Sequence, residues 1–238
     1  MTLGVTIHTY QRSDGQTPQF LTKAIQSIIN QSYQNFKIFI VGDKYENNQE
    51  FEDILNGFIE IPEKIVFENL SFAHERDKYL GVNNSALWNC GGANAINHAN
   101  NLAKAHGITK VCHLDHDDEW LPNHLSSLKN GIDKTNSLFL CTKSEYVSNN
   151  ILPNNGSNLD LIPFIPSGGK LIHSSTCINF KTMPLRHRNI YEETGAIGQP
   201  GDYDMWERVG KYLVSNGLTG YIINKVTCKH LDEGYERR

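Results

Sequence analysis

Short apolar runs alternate with segments of helical periodicity through the first half of the chain. The apolar runs, rich in β-branched residues, predict four strands at residues 4–9, 36–41, 64–67 and 110–114. Apolar residues recur at helical spacing between them, which predicts helices at residues 18–29, 51–59 and 93–103. Strand and helix in alternation favour a doubly wound α/β sheet with helices on its two faces.

Polar segments follow the first, second and fourth predicted strands. A long polar loop is also expected between the third strand and the helix that begins at Ala93. Because the carboxyl ends of parallel strands share one edge of an open α/β sheet, we expect the ligand site at that edge.

The second half of the chain has a less regular pattern. It predicts strands at 138–142 and 171–180, a helix at 202–214 and two short strands at 221–229. Residues 148–169 are rich in Asn, Pro, Gly and Ser, which predicts a long mobile loop beside the site. We interpret 1–238 as one domain, with a nucleotide-binding half (about 1–118) and an acceptor-binding half (about 119–238).

Composition narrows the functional classes. Hydrophobic residues make up 39% and charged residues 20% of the 238, as in ordinary globular proteins. The net charge of −4 and the lack of a basic stripe argue against nucleic acid as a partner. No apolar run approaches the roughly 20 residues of a membrane span. The five cysteines form no CxxC pair, so neither a zinc knuckle nor a disulfide framework is indicated, and we expect a cytoplasmic protein.

The most informative segment follows the fourth strand. The strand runs into three carboxylates, Asp115, Asp117 and Asp118, without a nearby Lys or Arg in the sequence. Like charges this close repel one another unless a cation compensates them. Mg²⁺ and Mn²⁺ prefer such oxygen ligands and often bridge to substrate phosphates. The alternative is a solvated acidic turn ahead of the helix that begins after Pro122.

Five segments, in order, resemble family 2 glycosyltransferases with the GT-A fold. They are VTIHTYQR at 5–12, IQSIINQSYQNF at 25–36, IVGD at 40–43, LDHDDEW at 114–120 and GDYDMWERV at 201–209. LDHDDEW is similar to the DxD segment of that family, and GDYDMWERV to its ED segment. The similarity extends over most of the chain and implies a GT-A-like α/β fold with a single Rossmann-like mixed sheet flanked by helices.

The resemblance implies a role for each matching residue. It places Asp43 against the uracil of a UDP donor, and it implies that the remaining nucleotide contacts are Thr9, Tyr10, Arg12, Asn97 and Asp115. It implies a divalent ion, Mn²⁺ or Mg²⁺, held by Asp117 and Asp118 with His230 after the last strand. It makes Asp202 the base that takes the acceptor proton.

Each of these roles has a structural alternative. The alternative for Asp202, which lies near a predicted helix start, is a capping residue. The alternative for His230 is an exposed polar residue. Tyr10 stacks on the base or simply packs. Asp204 is interpreted as structural or acceptor-contacting. Four further residues are interpreted as having no direct role: His113 and His116 as bystanders, and Trp120 and Trp206 as core anchors.

Three positions depart from the family pattern. His8 stands where proline is common, Ile96 where many members have Arg, and Gly201 where the ED pair has Glu. The implied activity is inverting transfer from a nucleotide-sugar donor to a glycan or glycoconjugate acceptor. The alternatives are a sugar-1-phosphate nucleotidyltransferase, although a Gly-rich opening loop is missing, and a non-catalytic nucleotide-sugar binding module.

Overall fold

A computed structural model of the chain describes residues 1–58, 60–146, 150–183, 185–195 and 199–230. The strands are β1 (Leu3–Thr9), β2 (Phe36–Gly42), β3 (Ile65–Asn69), β4 (Lys110–His113), β5 (Glu119–Trp120), β6 (Phe139–Tyr146), β7 (Asn150–Leu152), β8 (Leu161–Phe164), β9 (Thr176–Asn179) and β10 (Gly220–Lys229). The helices are α1 (Thr17–Ile29), α2 (Asn48–Asn56), α3 (His74–Tyr79), α4 (Asn84–Cys90), α5 (Ala93–Ala105), α6 (His124–Thr135), α7 (Ile190–Thr194) and α8 (Gly201–Ser215).

The strands form one mixed sheet. Its order is β3-β2-β1-β4-β9-β6-β10-β5, with β7 beside β6 and β8 beside β10. The β3-β2-β1-β4 part is parallel, β9 runs antiparallel to both β4 and β6, and β10 runs parallel to β6. The α/β fold class with a single mixed sheet is therefore confirmed, and the carboxyl ends of β1, β2 and β4 do share one edge.

The sheet is buried on both faces because its strands are apolar at successive positions. Val5 and Ile7 of β1 belong to a buried cluster that includes Leu21 and Ile25 of α1. Phe39 of β2 belongs to another cluster with Val111, Trp206 and Val209, the last two from α8. Neighbouring strand residues point to opposite faces, so this alternation anchors α1 and α8 on different sides of the sheet.

Several local expectations need correction. The polar stretch after β3 contains α3 and α4, and residues 221–229 form part of one strand with register shifts between Ile223, Val226 and Cys228. The supposed loop at 148–169 contains β7 and β8, although 148 and 149 lie outside the described residues. β8 pairs antiparallel with β10. Because the two strands are distant in the sequence, the local hydrophobic pattern does not predict this pairing.

The prediction that two tryptophans are buried in the core is confirmed. Trp120 and Trp206 are 4% and 0% exposed. Within the described ranges, no helix combines the length and the apolar character needed to span a membrane.

Candidate active site

A cavity of about 440 Å³ opens at the carboxyl edge of the parallel strands. His8 near the end of β1 and Asp115 after β4 lie on its wall, where open α/β sheets bind their ligands. The opposite wall comes from α4, from the start of α5 and from the first turn of α8. The fold therefore brings residues from both halves of the chain around one space.

The acidic segment forms a tight turn against this cavity. The backbone N–H of Asp118 donates to the carbonyl oxygen of Asp115 at 3.1 Å, and the side chains of Asp115 and Asp117 line the cavity. Burial and the charges of Asp118 and Asp117 raise the pKa of Asp115 well above its usual range. Burial likewise raises the pKa of Asp117. Such a carboxylate group stabilises its charged form by binding a cation.

Asp118 has different surroundings from its neighbours. It is fully buried and does not line the cavity; Ser174 Oγ donates to its Oδ2 at 2.5 Å. Nδ1 of His230 lies 2.9 Å from Oδ1 and 3.2 Å from Oδ2 of Asp118. Asp118 therefore orients His230, and its role as a metal ligand stays a prediction.

His230 itself lines the cavity and stacks on Tyr146, with ring centroids 5.2 Å apart. Burial lowers the pKa of His230, but the hydrogen bond and the charge of Asp118 outweigh burial and raise it to about 9. The alternative of an isolated exposed residue does not describe this side chain. Its role toward a metal ion stays a prediction.

Arg12 corrects the expectation that no basic side chain lies near the aspartates. Its Nη1 lies 4.0 Å from Oδ2 of Asp117, and its Nη2 donates to Oδ2 of Asp14 at 2.8 Å. The loop after β1 carries Arg12 to the acidic turn, although more than a hundred positions separate the two in the sequence. Arg12 offsets part of the negative charge at Asp117.

The residues expected at the nucleotide do not share one surface. Tyr10 lines the cavity, and the guanidinium of Arg76 lies 3.8 Å from the centre of its ring. Nε of Arg76 also lies 3.3 Å from Oδ2 of Asp43, which is 1% exposed. Oδ1 of Asp43 is buried without a partner among the described residues. Thr9 is buried against the Tyr45 hydroxyl at 2.7 Å.

The side-chain amide of Asn97 is hydrogen-bonded to the protein backbone. Its amide nitrogen donates to the carbonyl oxygen of His187 at 2.7 Å, and its amide oxygen accepts from the His187 N–H at 2.9 Å. Both polar groups of Asn97 are therefore engaged by one residue. Asn97 positions the backbone at His187, and its direct contact with a nucleotide stays a prediction.

Asp202 lies in the first turn of α8, on the cavity wall. Pro200 is the N-cap of this helix, and no side chain makes a capping hydrogen bond there. Asp202 is therefore not the N-cap residue itself, although backbone N–H groups of Asp202 and Tyr203 interact with its carboxylate. Burial raises the pKa of Asp202. The positive end of the helix dipole favours the ionised carboxylate, which is the form that can accept a proton.

Close packing explains the glycine that precedes Asp202. A Cβ added at Gly201 would lie 2.8 Å from the carbonyl oxygen of Asn89, within α4. The backbone of α4 thus occupies the space that a glutamate side chain would need. The departure from the ED pattern follows from this contact between the two helices.

Several cavity residues were missed from the sequence. Trp88 is 60% exposed on the cavity wall, and α4 that carries it begins after Asn83, whose side chain accepts from the Ala86 N–H at 3.0 Å. An Asn ahead of a Ser-Ala-Leu-Trp run is a helix-start signal that could have revealed α4. His116, interpreted from the sequence as having no direct role, also lines the cavity. Other lining residues that the sequence did not indicate are Asn89, Cys90, Gly91, His173, His187 and Pro200.

No protein-family model matches the chain. The chain is, however, 34% identical over 241 aligned residues to an uncharacterized glycosyltransferase of Acanthamoeba polyphaga mimivirus. The alignment covers 97% of this chain and 94% of that protein. The chain belongs to the glycosyltransferases. The enzyme class implied by the five segments is thereby confirmed.

Solved structures share the fold of this glycosyltransferase. S. aureus TarS in complex with UDP superposes with a TM-score of 0.63 at 16% identity, over 97% of this chain and 60% of that chain. The Pyrobaculum calidifontis mannosyltransferase PcManGT, in complex with GDP-Man and Mn²⁺, has a TM-score of 0.58 at 13% identity, over 98% and 58%. These likenesses confirm the GT-A-like fold. The glycosyltransferase spans about 60% of the length of these solved chains.

Proposed function

We propose that the chain transfers a sugar from a nucleotide-sugar donor, in particular a UDP-sugar, to a hydroxyl of a glycan or glycoconjugate, with inversion. The observation that carries the proposal is that Asp115, Asp117, His230 and Asp202 line one cavity. TarS is known in complex with UDP and UDP-GlcNAc, and PcManGT with GDP-Man, which supports a nucleotide-sugar donor.

The donor set at the acidic turn fits a hard divalent ion. Carboxylate oxygens of Asp115 and Asp117 face the cavity beside the imidazole of His230, and burial raises the pKa of both carboxyls. Mn²⁺ and Mg²⁺ accept this combination of ligands. When bound, the ion supplies positive charge that neutralises the diphosphate leaving group. The Mn²⁺ bound to PcManGT supports the same choice of metal.

Asp202 would act on the acceptor. Its carboxylate accepts the proton of the acceptor hydroxyl while the oxygen attacks the anomeric carbon and the bond to the diphosphate breaks. A free aspartate, with a pKa of about 3.9, is too weak to deprotonate a hydroxyl in advance, so proton transfer accompanies attack. The raised pKa of Asp202 makes it a better base for this step.

We assign the donor and the acceptor to different walls of the cavity. Tyr10 and Ile96 line the side formed by β1 and α5, whereas Trp88 stands at the side formed by α4. An exposed indole offers a flat apolar surface for a sugar ring, and we assign Trp88 to the acceptor. The apolar Ile96 stands where many members of the family have Arg, so recognition of the anionic diphosphate would fall to the cation held at the acidic turn.

A donor-hydrolysis screen tests this function without an acceptor. Purified protein is incubated with UDP- and GDP-sugars, with Mn²⁺ or with a chelator, and nucleotide release is measured. We expect Mn²⁺-dependent release from at least one donor, loss of release in Asp117→Asn, and normal release in Asp133→Asn, which changes an exposed carboxylate on α6. Equal release in excess chelator would contradict the metal assignment, and binding without any turnover would indicate a binding module.

A further inference from the structure

Three buried histidines meet at the cavity wall, outside the acidic turn. They are His113 at the end of β4, His173 in the 3₁₀ turn His173–Ser175, and His187 between β9 and α7. All three are 6% exposed or less. The ring centroids of His113 and His173 are 4.5 Å apart, and those of His173 and His187 are 5.3 Å apart. Ligand nitrogens, one from each ring, lie within 4.8 Å of one another.

Each of these rings also has a buried nitrogen without a partner. They are Nε2 of His113, Nδ1 of His173 and Nε2 of His187, which find no hydrogen bond among the described residues. Buried polar atoms in native proteins are nearly always satisfied. Three unsatisfied nitrogens in one cluster therefore indicate a group that completes it.

The tautomer of His113 can be deduced from its neighbour. The Thr176 hydroxyl donates its hydrogen to the carbonyl oxygen of His173 at 2.7 Å. Since that hydrogen is already used, the hydroxyl accepts from Nδ1–H of His113 at 3.0 Å. Nε2 of a neutral His113 then carries a lone pair.

The backbone around the cluster is held in place. Asn97 bonds both the N–H and the C=O of His187, at 2.9 Å and 2.7 Å, so α5 fixes the segment that carries this ring. Thr176 fixes the His113 ring in the same way. Metal-binding histidines are typically oriented by such outer partners, which set the tautomer and the ring direction.

We propose that His113, His173 and His187 form a second metal site, for Zn²⁺ or a similar divalent transition ion. Imidazole nitrogen suits Zn²⁺, Cu²⁺ and Ni²⁺, whereas Mg²⁺ and Mn²⁺ prefer oxygen. Three histidines plus one water are an established zinc set. His173 and His187 also line the cavity, so solvent can reach the fourth position.

Zinc binding would draw the three ring nitrogens, now within 4.8 Å of one another, closer together. Tetrahedral Zn²⁺ with Zn–N bonds of about 2.0–2.1 Å places its nitrogens about 3.3 Å apart. The ion would join β4, the turn before β9 and the segment before α7, and so connect the two halves of the chain. This proposal does not rest on the proposed function, because it concerns ligands and stability rather than sugar transfer.

Zinc binding in excess Mg²⁺ tests the proposal. Protein that carries Asp117→Asn, which removes a proposed ligand of the acidic-turn site, is stripped with a chelator and dialysed against Zn²⁺ with Mg²⁺ in large excess. We expect one equivalent of bound Zn²⁺ and a higher melting temperature. His187→Gln should lose this equivalent, and His98→Gln, which changes a more exposed histidine on α5, should retain it.

The variant Thr176→Val tests whether zinc binding needs the hydrogen bond between Thr176 and His113 or only the shape of the side chain at position 176. Valine keeps the shape but cannot accept from Nδ1–H, so Zn²⁺ affinity should fall about 10- to 100-fold. X-ray absorption of zinc-loaded wild-type protein gives a result that needs no folded variant; we expect imidazole nitrogen ligands. Absence of bound Zn²⁺, an oxygen-dominated spectrum, or full binding by a folded His187→Gln protein would overturn the proposal.

Discussion

Asp202 and Asp204 lie two positions apart on α8 and have opposite surroundings. Asp202 faces the cavity, and burial raises its pKa. Asp204 accepts from Arg188 at 2.5 Å and from Arg208 at 2.8 Å, and although burial opposes them these contacts lower its pKa. Because side chains two apart point to different sides of a helix, one carboxylate is left for chemistry and the other ties α8 to the preceding segment.

Asp202→Asn should remove the proton acceptor and keep the shape. We expect kcat to fall by about 10²–10⁴-fold, the usual range for loss of a general base, with donor affinity and stability nearly unchanged. Asp204→Asn is the matched control on the same helix. It should lower the free energy of unfolding by about 1.5–3 kcal/mol, the range for hydrogen bonds to charged groups. Rates, donor titrations and urea unfolding distinguish the two; near-normal kcat in folded Asp202→Asn would remove Asp202 from the mechanism.

Trp88 offers an optical test of the acceptor side. It is the exposed member of the three tryptophans, since Trp120 and Trp206 are buried. Acrylamide should quench Trp88 fluorescence, and an acceptor sugar should protect it, while Trp88→Ala should raise the acceptor KM without changing donor hydrolysis. Val82→Ala, an exposed apolar change that does not line the cavity, is the control. Quenching that acceptor leaves unchanged would argue against the assignment.

At the scale of elements, α4 and α8 form the wall that faces the sheet edge. They meet where Gly201 approaches the carbonyl oxygen of Asn89. This contact holds Trp88 and Asp202 on neighbouring parts of one cavity. Because the two helices approach so closely, no side chain fits at position 201.

Gly201→Ala should therefore force the two helices apart. A Cβ placed 2.8 Å from a backbone oxygen is overpacked, and we expect a loss of about 1–3 kcal/mol in the free energy of unfolding. Catalysis should fall as well, because α4 moves relative to Asp202. Lys211→Ala, on the exposed face of α8, should change stability by less than about 0.5 kcal/mol. Urea unfolding measures both, and an unchanged Gly201→Ala protein would contradict the packing argument.

The whole molecule combines a buried acidic turn with a net charge of −4. Asp115, Asp117 and Asp118 are buried or half-buried, and burial raises the pKa of each. Arg12 and His230 offset only part of this charge. A bound cation should therefore act on the stability of the entire fold, because it binds the folded chain alone.

Mn²⁺ with UDP should stabilise the protein. At a hundred times the dissociation constant, binding adds about 2.7 kcal/mol to the free energy of unfolding. For a chain of this size that corresponds to roughly 5–10 °C in Tm. Asp117→Asn should abolish the shift, and Asp133→Asn should retain it. Thermal melts with and without chelator measure the effect; an equal shift in Asp117→Asn would place the ion elsewhere.

Much of the fold could be predicted because its signals are local. The short apolar runs of β1 and β2 and the helical spacing of α1 and α5 lie within single segments. The acidic residues at the end of β4 were placed at the sheet edge for the same reason. Helices α3, α4 and α7 were not predicted because each has seven residues or fewer, too few to establish a helical period. Strand β8 was not predicted because its partner β10 is distant in the sequence.

The sequence by itself determined the alternation of elements, the edge that carries the site and the glycosyltransferase motifs, since each depends on neighbouring residues. Only the tertiary structure decided which side chains meet. Asp118 with His230, Arg12 with Asp117, and the cluster of His113, His173 and His187 join residues that are about 60 to 110 positions apart or lie on separate elements. Such contacts depend on strand order and register, which set the distances between segments and which no local pattern encodes.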